Sequence, residues 1–188
     1  MKIGAVTILL FFIVGCTTRD FTPKPRGYYR ITLPAHHYKS FDPIECPFRF
    51  EIPTISQPLR DTNDLREPCW WYITFPDLNA NIYLTYKKMS GDLNTYTEDA
   101  RTLVYKHTQK ANGINEQVIR NNHGAGGILY DIGGEAASSI QFFMTDSSQH
   151  FLRGALYFNV APNSDSLAPV VSYLKKDIEH LLKTLQWK

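Results

Sequence analysis

Thiol, imidazole and carboxylate side chains are where chemistry could begin in this chain, and Cys16 stands out among them. It closes an apolar run from Ile3 to Val14 as Ile13-Val14-Gly15-Cys16. That is the lipobox pattern, in which an aliphatic residue and small neighbours let a lipoprotein signal peptidase cut just before a lipid-modified cysteine. At about 1.5 Å per residue the run falls short of the roughly 20 apolar residues that span a bilayer, so residues 1–15 read as a signal peptide and not as a retained span. An ordinary secretory signal with a chance cysteine is the alternative. Acyl chains contribute about 0.8 kcal/mol per buried CH₂, and two or more hold a protein stably on a membrane. Residues 16–25 carry Pro23 and Pro25 and no apolar periodicity. They read as an extended, fairly stiff tether between lipid and domain. Thr17 follows the lipid cysteine in place of an acidic residue, which favours the periplasmic leaflet of the outer membrane over the inner membrane.

With Cys16 assigned to lipid, Cys46 and Cys69 remain. An exported location makes a disulfide between them one reading, and two buried free thiols the other. Neither sits in a C-x-x-C pair, which argues against a metal site.

No further constellation points to catalysis. G-x-S-x-G, Walker-loop and H-E-x-x-H patterns are absent. Gly124-Ala125-Gly126-Gly127 is followed by strand-like residues where a phosphate loop needs a helix, so it reads as a turn between strands. The adjacent His36 and His37 would point to opposite faces of an extended segment and make no metal site. His107, near the end of a predicted helix, suits capping or packing. No catalytic residue, metal or cofactor is assigned. As a candidate partner surface, Arg26, Tyr28, Tyr29 and Arg30 gather Tyr and Arg where the tether meets the domain, with Lys106 and His107 on the first helix as further candidates. A first strand with Tyr on both faces explains the first four equally well.

The elements that must position these residues can be read from periodicity. Thr95-x-x-Glu98 has a capping-box pattern and predicts a helix over 96–110, with Tyr96, Ala100, Leu103, Val104 and His107 or Ala111 facing inward. A second helix follows from the stripe Leu167, Val170, Val171, Leu174, Ile178, Leu181, Leu182 and Leu185, capped by Asp165 or Ser166, with Pro169 in its first turn. The stripe serves core packing or a partner helix. Period-two alternation predicts strands at 71–75, 82–86, 128–132, 140–144 and 152–158, with an antiparallel meander from Ile114 to Val160. Removing residues 1–15 leaves 173 of 188, enough for one globular domain over 26–188. The expected class is α+β: a mainly antiparallel sheet with two helices packed on it, an order similar to the PsbP/Mog1-like sandwich, which by itself implies no function. A net charge of +2 without a basic block excludes nucleic acid as an expected partner.

Several ordered segments resemble the GldD gliding motility lipoproteins of the Bacteroidota. They are Thr22-Pro23-Lys24-Pro25-Arg26-Gly27-Tyr28-Tyr29-Arg30, Cys46-Pro47-Phe48 with Glu51 and Pro53, Cys69-Trp70 leading to Ile82-Tyr83-Leu84-Thr85-Tyr86, Glu98-Asp99-Ala100-Arg101-Thr102-Leu103 with Tyr105-Lys106-His107-Thr108, and Tyr130-Asp131 with Gly133-Gly134 and the later Leu152-Arg153-Gly154-Ala155-Leu156-Tyr157-Phe158. The resemblance implies a non-enzymatic envelope lipoprotein needed for surface gliding and type IX secretion, acting through other envelope proteins. It adds weight to a Cys46–Cys69 bridge and transfers no catalytic residues. A periplasmic module binding a small ligand or peptidoglycan is the competing reading.

Overall fold

Alternating apolar residues build the frame. Ile73 and Phe75, then Ile82, Leu84 and Tyr86, then Leu152 and Leu156, then Ile140, Phe142 and Met144 all turn one way and are buried. In the computed structural model, which describes residue 27, residues 31–63 and residues 67–188, a unit over Thr32–Lys188 contains ten strands and two helices among the described residues. The strands are β1 (Tyr38–Phe41), β2 (Phe48–Pro53), β3 (Gln57–Arg60), β4 (Trp71–Phe75), β5 (Ala80–Lys88), β6 (Ala111–Arg120), β7 (Gly126–Gly134), β8 (Ser138–Thr145), β9 (His150–Phe158) and β10 (Gln186–Trp187). The helices are α1 (Leu93–Tyr105) and α2 (Ser164–Thr184).

Seven strands form one antiparallel sheet in the order β3-β4-β5-β9-β8-β7-β6. Its last four strands in sequence are the expected meander. The Asp146-Ser147-Ser148 turn joins β8 to β9, with Ser147 at φ 66° and the Asp146 carboxylate accepting from the backbone N–H groups of Ser148, Gln149 and His150. Gly154 is required by packing: it lies opposite Phe142, whose ring would meet an added Cβ at 2.1 Å.

A second, three-stranded sheet, β1-β2-β10, was not anticipated. Its members are short, and β10 is two residues appended to a helix, so period-two counting has little to work on. Phe48, Phe50 and Ile52 of β2 meet Val170, Leu174, Ile178, Leu181 and Leu182 of α2 and the inner face of the large sheet in the main core. A smaller core forms on the opposite face, where Ala100 and Val104 of α1 join Tyr130, Ile132, Phe143 and Phe151. The two helices thus lie on opposite faces of the large sheet, and the α+β architecture is as expected.

Three local expectations are corrected. Helix α1 begins at Leu93, ahead of the Thr95–Glu98 box, because Gly91 at φ 86° turns the chain just before it and Asp92 accepts from Ser90 N–H. It ends at Tyr105, and Lys106–Gln109 continue as a 3-10 turn. Leu103 is 38% exposed, since the buried stripe runs through Ala100 and Val104 and leaves it at the margin. Helix α2 is capped by Asn163, which accepts from Ser166 N–H, so it starts early enough to place Pro169 inside the helix, beyond the first turn.

Candidate functional site

Cys46 and Cys69 are joined in a disulfide, with their Cα atoms 5.5 Å apart. The bridge ties the loop before β2 to the loop before β4, and so clamps the small sheet to the large one. Both cysteines are buried, which marks the bridge as structural.

The expected partner residues divide. Cys16, Arg26, Tyr28, Tyr29 and Arg30 lie outside the described residues. Lys106 and His107 occupy the 3-10 turn after α1, with Lys106 exposed and His107 half-buried. Burial and the neighbouring Arg153 guanidinium hold the His107 imidazole below its ordinary range, so structure brings these two residues into electrostatic reach.

Arg153 leads to the feature that sequence reasoning missed. It lies on β9, on the face of the large sheet opposite the main core, where strands β4, β5 and β9 expose their alternate residues. Tyr72 packs edge-on against Tyr83, with ring centroids 4.8 Å apart, and Tyr83 packs edge-on against Tyr157 at 5.3 Å. With Asp61, Trp70, Thr85, Arg153 and Asn159 they line a groove of about 520 Å³. Burial and the adjacent Asp61 carboxylate raise the Tyr72 hydroxyl pKa. At the groove's flank, Lys87 Nζ sits 5.0 Å from the Trp70 ring centre and pairs with Glu67.

The Arg153 guanidinium donates to Gln141 Oε1 at 2.6 Å. Gln141 is itself fully buried, and its Nε2 has no hydrogen-bond partner among the described residues. Burial lowers the Arg153 pKa, and the guanidinium still remains cationic because an arginine starts so far above neutrality. The groove therefore combines rigid aromatic surface, hydroxyls and a partly desolvated positive charge, the residue types that dominate binding hot spots. A signal for it was present in the sequence. Tyr72, Tyr83 and Tyr157 each occupy an outward position between core residues, and three aromatics at such positions on neighbouring strands are more than a solvated face requires.

A second polar cluster holds the chain before β1 onto α2. Asp177, buried within α2, accepts from His36 at 2.6 Å and from the Tyr38 hydroxyl at 3.1 Å. Burial pushes its carboxyl pKa up, and the two donors partly offset that. Tyr38 stacks on His180 at 3.6 Å, and His180 meets Glu51 at 2.6 Å. These contacts explain His36 as a fastening residue. Among the described residues, no group of three or more His, Cys, Asp or Glu side chains is arranged to hold a metal, and no helix is long and apolar enough to cross a membrane.

Among solved structures the chain is similar to cyanobacterial PsbP (CyanoP) from Synechocystis sp. PCC 6803, at 7% identity and a TM-score of 0.47 over 86% of this chain and 98% of that one. No curated protein sequence matches the chain. The family model described as gliding motility lipoprotein GldD matches residues 18–187, nearly the whole chain. The chain belongs to the GldD family of gliding motility lipoproteins.

Proposed function

We propose that this protein is a non-enzymatic accessory factor of the cell envelope, anchored by lipid on Cys16 with residues 16–25 as tether and 26–188 as the working domain. It supports gliding motility and type IX secretion by binding another envelope protein. The outer membrane's periplasmic leaflet is the proposed location. The observation that carries this reading is the tyrosine-lined groove around Arg153, which α1 and α2 leave uncovered. A protein that worked only as a spacer would gain nothing from three tyrosines and a partly buried arginine on an open sheet face, where polar residues are the ordinary solution. Arg26, Tyr28, Tyr29, Arg30, Lys106 and His107 are proposed as additional contacts.

The test is crosslinking and affinity purification of the tagged protein from its own envelope, with Cys16→Ala alongside. Reproducible recovery of gliding or secretion proteins, reduced without the lipid, supports the reading. Failure to recover any protein from either version would remove it. The competing reading, a small-ligand or peptidoglycan-binding module, draws on the convergence of Asp61, Arg153, Thr85 and Asn159 in the same groove. Retention of the purified protein on cell-wall fragments, with no protein recovered, would favour it.

A further inference from the structure

Several cations of this unit sit in ion pairs, whereas Arg153, like Arg49 on Gln186, has a neutral glutamine as its described side-chain partner and, unlike the exposed Arg49, is partly buried. Lys87 faces Glu67, Lys175 faces Asp131, Lys188 faces Asp42 and Arg60 faces Glu45. The cavity beside the disulfide is lined by Glu45, Glu67 and Lys188, whose charges are committed in these pairs, together with Lys88 and His150. Arg153 makes no ion pair among the described residues, although it is partly buried. Its described side-chain hydrogen-bond partner is the neutral Gln141 oxygen. A guanidinium has five N–H donors in a planar fork, so most of its donor capacity is uncommitted among the described residues. Desolvating a charge without an opposite charge is costly, and the fork matches the two oxygens of a carboxylate.

We propose that the groove around Arg153 is a carboxylate-binding site that takes an Asp or Glu side chain from an extended segment of a protein partner, with Tyr72, Tyr83 and Tyr157 packing against the residues flanking it. The inference rests on the reading of this face as a partner surface. Charge complementarity at Arg153 selects the ligand, since the groove's own carboxylate, Asp61, is engaged beside the Tyr72 hydroxyl. A single partly desolvated guanidinium answers a single carboxylate, whereas a polyanion would need a broad basic field, and this chain's charge of +2 with both signs interspersed supplies none. The rings add apolar area at low entropic cost, as suits a peptide backbone lying across the strands.

The experiment uses the full lipidated chain in detergent micelles, with NMR signals followed from the rings of Tyr83, Tyr157 and His107. The probes are the blocked tripeptides Gly-Glu-Gly and Gly-Gln-Gly, with a soluble disaccharide–tetrapeptide muropeptide as a third arm. The glutamate peptide is expected to shift these signals saturably, and the glutamine peptide to bind about tenfold more weakly. Arg153→Gln should erase that difference. Arg153→Lys, which keeps the charge but loses the fork, should retain part of it, and unchanged Leu152 and Ile82 signals will certify the fold of each variant. Equal binding of the two peptides, or a preference that survives Arg153→Gln, overturns the site. Tighter Arg153-dependent binding of the muropeptide overturns the assignment to a protein segment. Crosslinks from position 83 to a partner, with no preference between the peptides, would leave the docking reading intact and remove the role given to Arg153.

Discussion

Arg153 and Gln141, on neighbouring strands, meet at 2.6 Å on the sheet face opposite the main core, the first partly buried and the second wholly so. Their contact fixes where the guanidinium sits. It also places a permanent positive charge near His107, which burial and that charge together hold below its ordinary pKa. Since the folded protein disfavours protonated His107, this residue subtracts stability as pH falls through its unfolded value of about 6.5 toward the lower folded value. Arg153→Gln removes one of the two causes. The His107 midpoint should therefore rise in that variant, read by NMR titration of the imidazole, and an unchanged midpoint would dissociate the two residues.

Cys46→Ser with Cys69→Ser should destabilise the unit by about 3 kcal/mol, because the bridge closes a loop across a sequence separation of 23. Denaturant unfolding of the oxidised protein, the reduced protein and the double variant checks this. Reduced protein and double variant should coincide.

Asp146 accepts from three backbone N–H groups at the β8–β9 turn. Burial alone would raise its carboxyl pKa, but the N–H groups of His150, Ser148 and Gln149 outweigh burial and hold it well below the usual carboxylate range. The stability it contributes is present above its unfolded value of about 3.9 and is lost as pH falls through the lower folded value. Asp146→Ala should cost about 2 kcal/mol at pH 7 and flatten the acid limb of the stability profile, measured by denaturation between pH 2 and 7.

Asp177 has the opposite sign. Burial raises its carboxyl pKa, so its contribution is fully present below the unfolded value and declines as pH rises through the folded one. Asp177→Asn keeps an acceptor for His36 and Tyr38 and should change stability at pH 7 by less than about 1 kcal/mol, with the wild type gaining relative to it as pH falls. His36→Ala leaves a buried carboxylate short of its nearest partner and should cost about 1–3 kcal/mol. Parallel denaturation of the three proteins across the acid range measures both effects.

These residues also mark how far sequence carries. Strands β4, β5, β7, β8 and β9 were legible because the alternating sets Ile73 and Phe75, Ile82 and Leu84, Ile128, Tyr130 and Ile132, Ile140 and Phe142, and Leu152 and Leu156 fall within them, although β7 and β8 contribute to both cores, and α2 because its apolar stripe runs its full length. The small sheet was not, because β10 becomes a strand only by pairing with β2, a contact set by tertiary structure. Helix α1 started early because the Gly91 turn upstream overrode the Thr95–Glu98 pattern. Of the candidate site, Tyr and Arg were recognised as binding types, yet Arg153 was missed: what distinguishes it is partial burial without a counter-charge among the described residues, and neither half of that condition can be read from one strand. His36 shows the same limit, since its partner Asp177 is 141 positions away.

In the proposed role, the face carrying Tyr72, Tyr83, Tyr157 and Arg153 is where this lipoprotein meets its partner. The most direct measurement replaces Tyr83 with a photo-crosslinking amino acid in the full chain, in its own cells, and compares it with the same replacement at exposed Asp99 on the outward side of α1. A discrete crosslinked envelope protein is expected from position 83, diminished by Arg153→Gln and absent from position 99. Equal crosslinking from both positions, or none from position 83 while the tagged protein still recovers its partner, would contradict that role.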